Sequence, residues 1–404
     1  MLKGLIDRDA FASLFFSRVI YAVNWYNVAA LFTFIGYDFN LNVSGLGVAT
    51  SSFYIGVGLF QVPGGVVAAK YGARNTAIAG VLIASFAAFL TAFTSQFYQL
   101  VLLRFFVGLG MALFFGPGIT LIARTFTKES QGLGIGTFQS AFYVGGALGL
   151  FAWSVLAEIA GWRIGLAISG AIGLLGALLL FSHIPKDDLN PNFVVKMADL
   201  QKLLSNRWLV LLSLELFGFG SGTILISTFM VYYLEQSLKL TPTFAGIFGS
   251  LAPLCAIIAS PVCGWLHDKT RRPRLLLFSL GVILATAIGL IAVGNVEAAI
   301  FSSLVAGLAS GSFTVGYLAA RERMPGSPEY ESLAVSWTNT IQMLAGFWSP
   351  VMFSLLVLSF GYASSWIVSA AYTLILTSLI LLPIRGETGQ ESLSSRDSHA
   401  TVTR

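Results

Sequence analysis

Long apolar runs constrain the fold of this chain more than any other feature of its sequence. About twelve runs of roughly 20 residues follow one another along the 404 residues, and a helix of that length crosses the hydrocarbon core of a bilayer. The chain is 56% hydrophobic and only 10% charged, which is too little charge for the surface of a water-soluble protein of this size. A closed barrel would need shorter, alternating segments. The sequence therefore predicts an all-α membrane protein with twelve transmembrane helices, here called spans one to twelve.

The polar segments divide the spans into two groups of six. The longest internal polar stretch lies near residue 195, and the last twenty or so residues are polar and rich in Ser and Thr, a composition typical of disorder. We therefore predict an N-terminal six-helix bundle at 1–183, a cytoplasmic linker at 184–207, a C-terminal six-helix bundle at 208–384 and a disordered cytoplasmic tail at 385–404.

Basic residues indicate the orientation of the chain. With an even number of spans, both ends lie on one side of the membrane. That side carries all the Lys and Arg residues of the loops and ends except Arg163 and Lys239. The positive-inside rule therefore predicts that both ends lie on the cytoplasmic side of a cell membrane. Because this rule explains where the basic residues lie, the net charge of +5 does not indicate nucleic-acid binding.

An internal repeat relates the two halves. Identical residues recur at a constant offset, which pairs Gly65 with Gly264 and Lys70 with Lys269. The offset continues across charged loops, which argues for duplication rather than chance. We therefore expect two pseudo-symmetric six-helix bundles related by an axis along the membrane normal.

Four short motifs, in this order and with twelve spans, resemble the major facilitator superfamily over nearly the whole chain. They are GGVVAAKYGAR (64–74) between spans two and three, LVLLRFFVGLG (100–110) in span four, GWR (161–163) before span six, and GWLHDKTRR (264–272) between spans eight and nine. The resemblance implies a secondary transporter that moves a small solute by alternating access and works as a monomer. It also implies a central cavity lined by spans one, four, seven and ten.

Two segments are similar to the anion:cation symporter branch of that superfamily. They are SRVIYAVN (17–24) and SSFYIGVGLFQVPGGVVAAKYGAR (51–74). This similarity implies that the solute is an organic anion of the carboxylate type, carried with protons. Two alternatives stay open, namely a drug or metabolite exporter that works as a proton antiporter, and a non-transporting membrane sensor on the same fold.

Charged residues inside an apolar run are costly in a bilayer, so each is a candidate for function. Arg18 in span one can form two hydrogen bonds to a carboxylate, and we expect it to hold the substrate. Arg104 in span four is a candidate second anion contact, or a cation that tunes a proton site. Glu215 in span seven is the expected proton-coupling residue, because a carboxyl group buried without a partner readily takes up a proton. The alternatives are an ion pair between Arg18 and Glu215, and an Arg104 bound to backbone carbonyls.

Uncharged polar residues in the spans are further candidates for substrate binding. A few such groups among apolar walls would orient a small ligand, although each could instead form a hydrogen bond between helices. They are Asn24, Asn27, Tyr54, Gln139, Tyr143, Thr223, Asn339 and Gln342.

The two hinge motifs provide candidate gating residues. In the resembled superfamily the hinge carries an acid that helps to lock the inner side across the two bundles. The first copy has Ala69 at that position and the second has Asp268, so the resemblance implies an asymmetric lock in which Asp268 faces the start of span five. The gating candidates are Gly65, Lys70, Gly72, Arg74, Arg124, Asp268, Lys269, Arg271, Arg321 and Arg323.

Several other functions do not fit the sequence. No pair of His residues has the spacing of metal ligands, and no phosphate-binding loop is present, so we expect no metal site, no cofactor and no ATP-driven pump. No interface carries a cluster of catalytic residue types, so we do not expect an enzyme. The expected partners are a small-molecule substrate, protons and the lipid bilayer.

Overall fold

The structure of the chain is a computed structural model that describes residues 5–127, 130–186, 204–322 and 328–383. These residues are almost entirely helical. Span one comprises two helices, Arg8–Trp25 and Asn27–Phe39, and span ten also comprises two, Val296–Ala309 and Ser312–Glu322. Spans two to nine are, in chain order, Val43–Tyr71, Ala73–Thr91, Phe97–Arg124, Gln131–Ala160, Trp162–His183, Arg207–Gln236, Pro242–Thr270 and Pro273–Ile291. Spans eleven and twelve lie in one helix, Pro328–Ser378, which is followed by the 3-10 turn Leu379–Leu381.

Eleven helical stretches in the described ranges are long and apolar enough to cross a membrane. The last of them, Trp337–Leu381, is 45 residues long, and a straight helix of that length would measure about 68 Å, more than twice the thickness of a hydrocarbon core. It bends at Gly361, whose φ of 78° is not helical, so it holds two spans. The prediction of twelve transmembrane helices in two bundles is confirmed. The boundaries predicted for the linker and the tail stay a prediction, since 187–203 and 384–404 lie outside the described residues.

The sharp turns between spans show the repeat in the backbone. Gly161 before span six and Gly361 before span twelve occupy equivalent places, and both have a positive φ, 81° and 78°. Gly72 in the first hinge also has a positive φ, 90°, and its counterpart Arg271 takes the left-handed conformation at φ 53°. A non-glycine residue is uncommon in that region. Both hinges therefore turn through a positive φ, but ψ is 146° at Gly72 and 25° at Arg271, so the two turns are not the same.

Small residues let the helices of the N-terminal bundle approach closely. A Cβ atom placed on Gly108 would lie 2.0 Å from the carbonyl oxygen of Phe53, and one on Gly56 would lie 2.2 Å from that of Phe105. Spans two and four are therefore in backbone contact. Gly110 of span four and Gly80 of span three meet in the same way, at 2.4 Å, so spans two, three and four form one tightly packed group.

The two bundles meet through span two against span eleven and span five against span eight. We call the face with Phe39, Ala160 and Gln236 the outer face, and the face with Tyr71 and Thr270 the inner face, after the predicted topology.

Polar groups join the bundles at the outer face. Glu158 accepts hydrogen bonds from the hydroxyl of Thr243 (2.6 Å) and from its backbone N–H (3.3 Å). The amide of Gln236 lies 3.5 Å from the hydroxyl of Thr33. These contacts bring span five to span eight and span one to span seven, so the outer ends of the bundles are held together.

Candidate functional site

A cavity of about 130 Å³ lies between the two bundles. Both bundles contribute polar groups to it among apolar and aromatic walls, as is usual for small-molecule sites. Seven of the ten residues that the sequence offers as substrate contacts line it: they are Arg18, Tyr54, Gln139, Tyr143, Thr223, Asn339 and Gln342.

Arg18 is the central group on the N-terminal side of this cavity. Its Nη2 donates a hydrogen bond to Oε1 of Gln139 at 3.1 Å. Its guanidinium also lies 4.4 to 4.9 Å from the centres of four aromatic rings, those of Tyr21, Phe115, Phe138 and Phe142. Ring faces attract a cation, most strongly away from water. Within the described part of the chain, Nε and Nη1 have no hydrogen-bond partner, so the guanidinium keeps capacity for an anionic ligand.

The C-terminal side of the cavity carries a neutral hydrogen-bonding cluster, which we call the Tyr317 cluster and which comprises Tyr317, Asn339 and Gln342. The Tyr317 hydroxyl lies 2.8 Å from Oδ1 of Asn339 and 2.8 Å from Oε1 of Gln342. Tyr317 comes from span ten and the two amides from span eleven. The cavity therefore has a cation on one bundle and an uncharged polar cluster on the other.

Arg104 does not line this cavity. It lies in a second cavity of about 10 Å³, on the other side of a wall that includes Trp25 and Tyr54. The indole N–H of Trp25 donates to the Tyr54 hydroxyl at 3.3 Å. The Arg104 guanidinium lies 4.4 Å from the ring centre of Phe53, and it is almost fully buried.

Asn24 and Asn27 are also absent from the main cavity, because both are used for hydrogen bonds between helices. Asn27 Oδ1 accepts from Arg104 Nη1 at 3.1 Å, and its Nδ2 donates to the Ser169 hydroxyl at 2.8 Å. Ser169 donates in turn to Oδ1 of Asn24. The network links spans one, four and six within one bundle. The structure therefore does not bring Asn24, Asn27 and Arg104 to the main cavity, and the two asparagines form the helix-to-helix hydrogen bonds that were their alternative. A role for these three residues in substrate binding stays a prediction.

Glu215 is fully buried in the C-terminal bundle and is not a lining residue of the main cavity. Its Oε1 lies 3.5 Å from the hydroxyl of Ser312, and Oε2 has no partner among the described residues. Ser312 begins the second half of span ten, just after the break at residues 310–311. The ion pair with Arg18 that was one alternative is not formed, because Arg18 contacts N-terminal residues instead. The proton-coupling role of Glu215 stays a prediction.

The gating candidates of the first hinge do not all face the other bundle. Arg74 is buried and donates from Nη2 to the carbonyl of Phe181 at 2.7 Å, so it ties span three to span six within its own bundle. Lys70 lies 5.2 Å from the ring of the neighbouring Tyr71, and Gly65 has open space around it.

The second hinge makes its contacts with span ten of the same bundle. Arg271 Nη1 donates to Glu322 at 3.3 Å, and the buried His267 lies between Glu322 (3.6 Å) and Asp268 (3.5 Å). The Asp268 side chain is 68% exposed, and Lys269 lies 4.8 Å from the ring of Trp265. The described contacts therefore do not include the expected one between Asp268 and span five, and Arg323 lies outside the described residues. A gating role for these residues stays a prediction.

Sequence reasoning missed three residues that the structure makes conspicuous. Tyr317 lies in an apolar run as Tyr54 and Tyr143 do, and nothing in the sequence marks it out among the tyrosines. His267 was treated as part of a loop motif, yet its side chain is fully buried. Glu235 lies at the outer end of span seven and receives no role from the sequence, yet its side chain is buried.

Comparison with known proteins agrees with this fold. Residues 14–233 and 212–404 match the family described as Major Facilitator Superfamily. The "Nitrite extrusion protein" of Bacillus subtilis (strain 168) is 25% identical over 292 residues, which cover 69% of this chain and 72% of that protein. The "Probable nitrate transporter NarT" of Staphylococcus haemolyticus (strain JCSC1435) is 26% identical, over 67% of this chain and 70% of its own length.

A solved structure shows the same architecture. The crystal structure of a bacterial homologue of the human lysosomal transporter Spinster superposes with a TM-score of 0.78 over 92% of this chain and 95% of that chain, at 17% sequence identity. The family model matches nearly the whole length of the chain, and the solved structure has the same fold. This chain therefore belongs to the Major Facilitator Superfamily, and it is a multi-pass membrane transporter rather than an enzyme.

Proposed function

We propose that the chain is a secondary active transporter that carries a small anion by alternating access, with Arg18 as the group that holds the negative charge. The observation that carries this proposal is a guanidinium with two unbonded nitrogens and no acidic residue among the described residues that line its cavity. A buried charge without a counter-ion is costly, and an anionic ligand would supply the missing charge. The names of the two nitrate and nitrite relatives support an anion as the solute.

The size of the cavity favours a small solute over a drug. Sites that enclose drug-sized ligands typically measure about 300–1,000 Å³, whereas this cavity measures about 130 Å³. A small inorganic anion or a short carboxylate fits that volume better than a multidrug substrate does. Under this proposal the protein works as a monomer in a cell membrane, with both ends in the cytoplasm.

Proton coupling is the second part of the proposal. Glu215 is fully buried, one of its carboxylate oxygens is unpartnered, and its only described hydrogen-bond contact is a neutral serine hydroxyl. A carboxylate is strongly disfavoured in such a place, and a proton bound to Glu215 would remove the buried charge. Release of that proton requires a conformation in which water reaches Glu215, and this requirement would link proton movement to alternating access.

A binding screen tests the anion assignment. The thermal unfolding of the purified full-length protein is measured with nitrate, nitrite and short carboxylates, for the wild type and for Arg18→Gln. The matched control is Arg163→Gln, which removes an equal charge at an exposed position that pairs with Asp38. We expect at least one anion to raise the midpoint in the wild type and the control but not in Arg18→Gln. An equal rise in all three proteins would refute the role of Arg18.

A further inference from the structure

We propose that the transported anion carries one negative charge and, away from that charge, a hydroxyl group that the Tyr317 cluster recognises. This inference rests on the proposed function, because it takes Arg18 as the contact of the negative charge. It adds the class of substrate and the residues that distinguish one anion from another.

The charge of the cavity sets the charge of the ligand. Among the lining residues in the described part of the chain, Arg18 alone is charged. Arg104 lies behind Trp25 and Tyr54 and is already bound to Asn27. A second negative charge on the ligand would therefore lose its water without gaining a cation, and such an uncompensated charge is strongly unfavourable. The cavity selects a monoanion.

The Tyr317 cluster cannot satisfy its own hydrogen-bonding groups. The Tyr317 hydroxyl has one proton, but two amide side chains lie 2.8 Å from it. It can donate to one carbonyl oxygen only, and the other amide can bond to it only through an NH2 group. In that arrangement the first amide still presents N–H donors and the second presents a free carbonyl acceptor.

A hydroxyl group on the ligand matches this pair of free groups. It can accept from the amide N–H and donate to the amide carbonyl at the same time, whereas an alkyl group would leave that N–H and that carbonyl without partners. Sites built to bind a hydroxyl reject the analogue that lacks it, because the buried polar groups of the site are then left without partners. The Tyr317 cluster is therefore a specificity determinant rather than a general polar lining.

The position of the cluster gives this recognition a second consequence. Arg18 belongs to the N-terminal bundle and the Tyr317 cluster to the C-terminal bundle, and both line the same cavity. A short molecule with a charge at one end and a hydroxyl at the other would contact both bundles at once. An anion without the hydroxyl would be held by one bundle only.

Matched pairs of acids test the inference. Dissociation constants are measured by calorimetry on the full-length protein for propionate, lactate and 3-hydroxypropionate, for butyrate and 4-hydroxybutyrate, and for the dianion malonate. We expect at least one hydroxy acid to bind tenfold or more tightly than its parent acid, and malonate to bind more weakly than propionate. Tyr317→Phe keeps the ring and removes one oxygen atom. It removes the hydroxyl that fixes which amide N–H and which amide carbonyl stay free, so it should reduce the advantage of the hydroxy acid and leave the parent acid unchanged. Tyr362→Phe, outside the cavity, should change neither.

The possible results separate the two proposals. If parent and hydroxy acids bind equally in the wild type, or if Tyr317→Phe weakens both alike, the substrate inference is wrong while anion binding at Arg18 stands. If malonate binds as tightly as the monoanions, the assignment of a single charge is wrong. If none of these acids, nitrate or nitrite binds, the proposed function fails and the substrate inference falls with it.

Discussion

Asn27 holds the buried Arg104 in place, and its replacement should destabilise the protein. Its Oδ1 is the acceptor for Arg104 Nη1, and its Nδ2 is the donor to Ser169. Among the contacts described for Arg104, this is the one hydrogen bond. The other contact is with the face of the Phe53 ring, which attracts the cation but accepts no conventional hydrogen bond. Asn27→Ala would therefore leave a buried guanidinium without a hydrogen bond.

The expected loss follows from the two bonds. A hydrogen bond to a charged group contributes about 1.5–3 kcal/mol, and one between neutral side chains in a membrane contributes about 0.6 kcal/mol. Asn27→Ala should thus lower the free energy of unfolding by roughly 2–4 kcal/mol. Asn27→Asp keeps the acceptor and places a negative charge beside Arg104, so it should recover most of this loss.

Thermal and chemical unfolding of the purified variants in one detergent would measure the effect. The control is Asn75→Ala, since Asn75 is exposed and bonds only to groups near it in sequence; a change below about 0.5 kcal/mol is expected there. If Asn27→Ala unfolds like the wild type but loses its response to anions, Asn27 is a substrate contact. The structural role given to it here would then be wrong.

Two further predictions concern packing and coupling. Gly108→Ala should destabilise the protein by about 1–3 kcal/mol or more, because its Cβ would lie 2.0 Å from the Phe53 carbonyl oxygen. The control is Gly65→Ala, because a Cβ atom at Gly65 would meet nothing within 4 Å. This change should leave the free energy of unfolding unchanged or raise it by up to about 1 kcal/mol. Glu215→Gln keeps the shape of the side chain but cannot release a proton, so in proteoliposomes it should abolish anion uptake driven by a pH gradient and preserve anion exchange. Uptake equal to that of the wild type under the gradient would rule out Glu215 as the coupling group.

The fold could be predicted because a membrane imposes few solutions on an apolar chain. The lengths of the runs and the side preference of Lys and Arg are direct consequences of the bilayer. The equivalence of Gly161 and Gly361 could also be predicted, because a tight turn that needs a positive φ selects glycine. These features depend on local sequence. The structure agrees with the lengths of the spans and with the turns at the two glycines, and the orientation in the membrane stays a prediction.

The cavity could be predicted only in part, because a polar residue in a span can face either a cavity or another helix. Nothing in the sequence distinguishes Asn27, which bonds to Arg104, from Asn339, which lines the cavity. The difference depends on the rotation of each helix and on its partners in the fold. Tyr317 was missed for a related reason, since its hydroxyl becomes informative only when two amides are found beside it.

The aromatic surroundings of Arg18 have an electrical consequence. Because ring faces and a neutral amide hold the guanidinium, the main cavity has a charge of +1 when it is empty and is neutral when a monoanion occupies it. Glu215 supplies the other charge that counts, because under the proposed coupling it carries a proton with the anion and returns without it. The loaded carrier is then neutral, and in the empty carrier the charges of Arg18 and Glu215 cancel. A membrane voltage contributes about 2.3 kcal/mol per 100 mV for one charge that crosses the whole field, so it would act on neither half of the turnover when one proton accompanies each monoanion, and it would act on the return of the empty carrier only if Glu215 kept its proton.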